Sequence, residues 1–311
     1  MAWTLDPLDT VLFIAFLVSL PLYVLLLVTF VKKRKEHPLN TPFFKLCVSN
    51  GIFDIYMLLD TWVLGKFPMY DWLWVADLAR QMPRFLAKFY MIGTWVCVFG
   101  QFFGIALLAL NRFTALVFMT RHDLIWSPNR TWLVIALHWL VPLTMAAPQL
   151  TLEFAYDGMS PNGTGPLGIV YWKDNVWQGR YFSTLLGVNC GCNVVSSISY
   201  VAVFWSARNN LQSQNQNRSL GKLRSDVKLA IIGFFVFLVM LVYGVYSFVM
   251  TFAVTTELFL EYAWLYFVIA DILCWLNPYL LLGLSTDVRK HVKNTLLCKP
   301  APIIVGPAPA N

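Results

Sequence analysis

Seven long apolar stretches, each near the length a helix needs to cross a bilayer, divide this chain almost completely. A crossing helix takes about 20 mostly apolar residues at about 1.5 Å rise each. The stretches lie near residues 8–31, 42–64, 85–111, 131–152, 181–206, 227–253 and 261–284, numbered helix 1 to helix 7 in that order. Little of the 311 residues is left over, so no soluble domain fits between them. Hydrocarbon cannot hydrogen-bond an exposed backbone, which leaves helices or a closed barrel. Runs such as FLVSLPLYVLLLVTF do not alternate as barrel strands would. The expected fold class is an all-α seven-transmembrane helix bundle over 1–284, with a short amphipathic tail helix at 285–298 and a flexible tail at 299–311.

An odd number of spans puts the two ends on opposite sides. Lys and Arg orient them. Lys32, Lys33, Arg34 and Lys35 lie between helices 1 and 2, and Arg112, Arg121 and Arg130 around the loop between helices 3 and 4. Arg208, Arg218, Lys222, Arg224 and Lys228 surround the loop between helices 5 and 6, and Arg289, Lys290, Lys293 and Lys299 lie in the tail. The opposite face holds only Lys66, Arg80, Arg84, Lys88, Lys173 and Arg180. The richer face is expected in the cytoplasm, with the amino terminus outside. The net charge of +7 is thus a topology signal and not a nucleic-acid footprint. No cleavable signal peptide is evident: residues 1–10 lack Lys and Arg, and the first apolar run is too long for one. Of the sequons at Asn129, Asn162 and Asn217, this topology exposes only Asn162 to glycosylation.

The six cysteines, Cys47, Cys97, Cys190, Cys192, Cys274 and Cys298, avoid the outer segments, so no extracellular disulfide is expected. Cys190-Gly-Cys192 lacks a second ligand pair and reads as small residues packing between helices. In TDVRKHVKNTLLC, Val288, Val292, Thr295 and Leu296 form one helical face, and Arg289, Lys290 and Lys293 are available to lipid phosphates. Cys298 at its end is a candidate for palmitoylation.

Polar residues inside a membrane are costly and tend to be functional. Asn50 and Asp54 lie one turn apart on helix 2, and Asp271, Asn277 and Pro278 lie on helix 7. Asp54, Asn50 and Asn277 could hold water or a sodium ion, or form a purely structural hydrogen-bonded network. Arg112 ends helix 3, where it either snorkels to the surface or pairs inward. His37, His122 and His291 share the inner face and His138 lies alone in the membrane, so no zinc site of a hydrolase assembles and no catalytic residue is assigned. Helix 7 has no lysine for a retinal Schiff base. No cofactor is expected.

The outer half is aromatic. Trp72, Val75, Ala79 and Met82 fall on one helical face in the loop between helices 2 and 3, either an interfacial helix or a lid over a pocket. Phe89, Tyr90, Tyr181, Asn189, Tyr243, Tyr246, Met250, Tyr262 and Tyr266 sit in outer halves and could line an apolar ligand pocket with a few polar handles. Helix packing or lipid contact is the alternative for each.

LNRF at 110–113 and LNPYLLL at 276–282 resemble the Asp-Arg-Tyr and Asn-Pro-x-x-Tyr regions of rhodopsin-like G-protein-coupled receptors. SLPLYVLLL, FFKLCVSNGIFDIYMLL and LNRFTALVF…RHDLIW look closer to nematode chemosensory serpentine receptors, foremost class gamma with class V a near relative. The resemblance covers nearly the whole chain. It implies a plasma-membrane receptor, in a sensory-neuron cilium, for an external odorant or pheromone-like small molecule, signalling to a cytoplasmic heterotrimeric G protein. By this analogy Arg112 is the switch arginine, Asn277-Pro278 the pivot of helix 7, and Arg224 and Lys228 face the G protein. Asn111 stands where the family pattern is acidic, Leu281 stands where it has Tyr, and helix 6 has no proline. The loop 153–180 has no Cys, so the usual disulfide to helix 3 is absent. A ligand-gated channel or transporter is the alternative function.

Overall fold

A computed structural model describes residues 7–156, 167–212, 220–252 and 256–297. Seven of its helices are long and apolar enough to cross a membrane. Helix 1 is Pro7–Lys32, helix 2 Pro42–Met69, helix 3 Pro83–Val117 and helix 4 Pro128–Thr151, the last ending in a 3₁₀ turn from Ala147. Helix 5 is Asn175–Gln212, helix 6 Leu220–Phe252 and helix 7 Thr256–Leu284. The expected all-α seven-helix bundle is the fold.

Proline at the first turn starts helices 2, 3 and 4, where its missing N–H costs nothing. Helix 1 shows how the bundle is sorted. Leu12, Phe16, Tyr23, Leu26 and Phe30 are buried, whereas Val11, Ile14, Val18, Val24 and Val31 are exposed. Apolar residues on both faces suit a helix packed on one side and bathed in lipid on the other. Helix 3 lies at the centre, touching helices 2, 4, 5 and 6.

Several helices outrun the apolar windows read from the sequence. Helix 3 continues past Arg112 to Val117, and helix 5 extends at both ends through polar residues. Polar side chains end a hydropathy window but do not break a helix. Helix 2 differs most. Its segment Asp60–Lys66 is π-helical, and the helix resumes over Phe67–Met69. Lys66, counted from the sequence as a cation of the outer face, is therefore buried at 2% exposure.

Two short strands, β1 (Phe154–Tyr156) and β2 (Val170–Trp172), pair antiparallel with Phe154 opposite Trp172. They close one end of the bundle, the hairpin end; Arg112 marks the other. The helix Leu73–Gln81 packs Val75 and Ala79 into the main core, with Ala76 also buried, rather than resting that face on the bundle's exterior. Of the other residues expected on its face, Trp72 packs edge-on to Phe13 and tilted against Tyr70, and Met82 is exposed. Cys192 is buried as expected, but Cys190 is exposed on the bundle surface, not packed between helices.

Candidate functional site

Beneath the hairpin lies a cavity of about 60 Å³. Helix 3 contributes Tyr90, Met91, Thr94, Trp95 and Val98, and helix 5 contributes Phe182 and Leu185. Tyr243 and Tyr246 come from helix 6, Tyr266 and Phe267 from helix 7, and Ile169, Val170 and Trp172 from the hairpin. Trp95 is the hub of the wall, with Trp172, Tyr181 and Phe182 rings at 5.2–5.9 Å centroid separation. Tyr243 packs edge-on to Phe102, Tyr246 and Tyr266. Such tilted contacts between large rings fix a wall of defined shape. None of the lining side chains carries a formal charge.

Of the nine residues proposed from sequence for a ligand pocket, Tyr90, Tyr243, Tyr246 and Tyr266 converge on this cavity. Tyr181 stands behind it, stacked on Trp172. Asn189 is buried against helix 6, where a Cβ on Gly244 would lie 2.5 Å from its side-chain oxygen. Met250 is buried but does not line the cavity, and Phe89 (49% exposed) and Tyr262 (40% exposed) point out of the bundle. Outer-half position alone cannot tell the inward face of a helix from the lipid face. Thr94, Trp95, Trp172 and Phe182 went unnoticed in the sequence. Tyr90 and Thr94, and Met91 and Trp95, each lie four residues apart, the helical repeat of a shared face, which was the available signal.

Two buried carboxylates lie on helix 2. Asp54 sits midway along the bundle and accepts from Tyr23 (2.5 Å), Gln101 (2.7 Å) and Asn50 (3.1 Å). Asn277 in turn donates to the Tyr23 hydroxyl at 3.4 Å, and Gln101 reaches Cys274. The expected trio of Asn50, Asp54 and Asn277 is thus brought together, through Tyr23 of helix 1 and Gln101 of helix 3. Helices 2 and 3 approach closely here: a Cβ on Gly104 would fall 1.8 Å from the Asn50 side-chain oxygen. Beside this, His138 is bridged between Ser49 (2.9 Å) and the Gly100 carbonyl (2.7 Å). The second carboxylate, Asp60, opens the π segment, two turns nearer the hairpin. It accepts from Thr94 at 2.7 Å, and its other oxygen has no hydrogen-bond partner.

Lys66, at the end of the same segment, lies 3.1 Å from Asp9 of helix 1 and 3.8 Å from Asp271 of helix 7. Its ammonium also sits 4.2 Å from the Trp62 ring centre and 5.4 Å from that of Phe267. A π turn spends an extra residue per hydrogen-bonded ring, and here that turn carries Lys66 into the bundle. This ion cluster ties helices 1, 2 and 7 together behind the cavity wall.

At the far end Arg112 is folded into the bundle, only 4% exposed. Its guanidinium donates to Asn111 at 3.0 Å and stacks 3.9 Å over Phe43. The Asn111 amide thus engages an arginine that has no adjoining carboxylate in sequence. Asn277 and Pro278 are both buried within helix 7, and Lys228 is exposed on helix 6. Arg224 belongs to helix 6, but its side chain lies outside the described residues, as do Asn162 and Cys298. A helix over Thr286–Leu296 follows, capped by Ser285. Val288, His291 and Val292 form its buried face, while Leu296 is exposed. Arg289, expected at lipid phosphates, caps helix 7 with one nitrogen through the carbonyls of Leu282 and Gly283 and is exposed. Free carbonyls at a helix end attract a cation.

Comparison with known proteins decides what kind of bundle this is. The family described as "Serpentine type 7TM GPCR chemoreceptor Srv" matches residues 12–298. The chain belongs to this family. It is also similar to "Serpentine receptor class V-1" of Caenorhabditis elegans, 28% identical over 276 residues, covering 88% of this chain and 85% of that protein. Between the two related classes suggested by the sequence, the match falls to class V. A class V serpentine chemoreceptor is a multi-pass membrane protein of a receptor family, and the cavity and the Arg112 end are read in that light.

Proposed function

We propose that this chain is a chemosensory G-protein-coupled receptor whose hairpin end faces outward and takes a small odorant or pheromone-like molecule. The observation that carries the reading is the aromatic cavity among helices 3, 5, 6 and 7 under the hairpin, with Arg112 buried on the same central helix at the other end. Trp95 and Arg112 are 17 residues apart by their numbers, about 25 Å along one helix. A ligand that fits the cavity better in one arrangement of the helices shifts the population toward it. In the responsive arrangement Arg112 leaves Asn111 and Phe43 and, with Lys228, Arg224 and the tail helix, meets a heterotrimeric G protein. Asn277-Pro278 serves as the pivot of helix 7, since proline removes one backbone hydrogen bond there. The excess of Lys and Arg at the Arg112 end supports a cytoplasmic placement in the plasma membrane, the sensory cilium being the expected site. Asn162 then lies outside as a glycan acceptor, and Cys298 at the inner leaflet as a palmitoylation site. The Asp54 network, with its three donors, is read as a hydrogen-bonded joint between helices.

The test is ligand-dependent nucleotide exchange on reconstituted G protein. Arg112→Ala should keep surface expression and lose at least about tenfold in exchange rate; full signalling by that variant would refute its role. Ligand-evoked current in bilayers without G protein would instead favour a channel.

A further inference from the structure

We propose that the cavity selects a small organic cation, a protonated or methylated amine, held by its aromatic wall and by Thr94 backed by Asp60. The inference rests on the receptor reading and names the ligand class of that site.

Three observations converge. First, eight of the lining side chains are Trp, Tyr or Phe. Aromatic faces attract ammonium groups through the ring quadrupole, more strongly when water is excluded. The volume of about 60 Å³ suits a compact group, with room for roughly four to six water-sized units at about 10–15 Å³ apiece. Trimethylammonium is of that size. Second, the Thr94 hydroxyl gives its proton to Asp60. Its oxygen, which also meets the Tyr90 side chain, can then only accept, which matches an N–H donor. Third, Asp60 is a buried carboxyl, 2% exposed, with one oxygen unpartnered. Among the described residues no basic side chain pairs with it, whereas Lys66 is already engaged by Asp9 and Asp271. An unpaired buried carboxylate is costly, and a cation in the adjoining cavity offsets that cost.

The full chain in lipid nanodiscs is probed with trimethylammonium, tetramethylammonium, choline and the neutral analogue of choline in which carbon replaces nitrogen. Saturation binding and the midpoint of thermal unfolding are read. The cations should bind and raise the midpoint, and the neutral analogue should bind at least about tenfold more weakly than choline. Asp60→Asn should remove that preference. Thr94→Val, which keeps the side-chain shape, should weaken trimethylammonium at least about threefold more than tetramethylammonium, which has no N–H to donate. Equal binding of choline and its neutral analogue, or no binding of any cation, overturns the proposal. If uncharged compounds then trigger nucleotide exchange, the receptor reading survives without it. Cation-selective binding that never stimulates exchange supports the selectivity and removes the receptor reading instead.

Discussion

Asp54 and Asp60 sit on one helix, six residues apart and almost equally buried, yet their surroundings are opposite in kind. Asp54 has three donors from three helices, so both its oxygens are satisfied, and two of the donors, Tyr23 and Gln101, are themselves tied to helix 7. Asp60 has Thr94 and an unpartnered oxygen. A satisfied buried network makes one arrangement of helices rigid; a partly satisfied one is held at a cost and responds to whatever completes it. The middle of the bundle is therefore built as a joint, and the region under the hairpin as a receiver.

The ion cluster beside Asp60 offers the strongest way to break this contrast. Lys66→Met strands Asp271 with no cation and should lower stability by about 3 kcal/mol or more, read as the thermal midpoint in nanodiscs. The double variant Lys66→Met with Asp271→Asn should recover much of that loss. No loss in the single variant would mean the cluster is not holding the hairpin end together. Gly104→Ala tests the joint from the packing side. A Cβ 1.8 Å from an Asn50 oxygen that cannot swing away from Asp54 should cost about 1–3 kcal/mol.

The direct comparison comes next. Tyr23→Phe removes one donor from Asp54 and should cost about 1–2 kcal/mol. Asp60→Asn should be neutral or slightly stabilising, because it discharges a buried group with no cationic partner among the described residues and keeps an oxygen for Thr94. Equal destabilisation by the two substitutions would erase the distinction between joint and receiver. Glu153 is the exposed control. Its hydrogen bond and charge pair with Lys173 hold its carboxyl below the usual range. A carboxyl depressed in the fold contributes stability above its unfolded value and loses it as pH falls through the folded one. The hairpin should therefore loosen only slightly in acid below the ordinary carboxylate range, and Lys173→Gln should flatten that response, as hydrogen exchange at β1 and β2 would record.

The same two regions mark how far the sequence could be read. Helix number and the Asp54–Asn50–Asn277 trio were legible, because apolar length and a polar residue deep in an apolar run are local signals. Gln101, within GQFFG, carried that same signal and was overlooked. Lys66 was assigned to a loop because hydropathy windows stop where charge begins, and a π turn leaves no period by which to find it. The cavity was half legible. Tyr243 and Tyr246 of helix 6 share a face by spacing, but Trp172 reaches the wall only through strand pairing with Phe154, a contact no single-chain periodicity encodes. Phe89 was drawn to the pocket by composition and lies on the outer surface, because an aromatic residue is at home in both places.

The hairpin over the cavity has one last consequence. Phe154, Tyr156, Val170 and Trp172 hold it down by burial alone, and all the cysteines among the described residues carry free thiols. A cover fastened by rings and not by sulfur is indifferent to redox conditions. It can also lift and reseat without any bond being broken, at a cost set by how much apolar surface is wetted on opening.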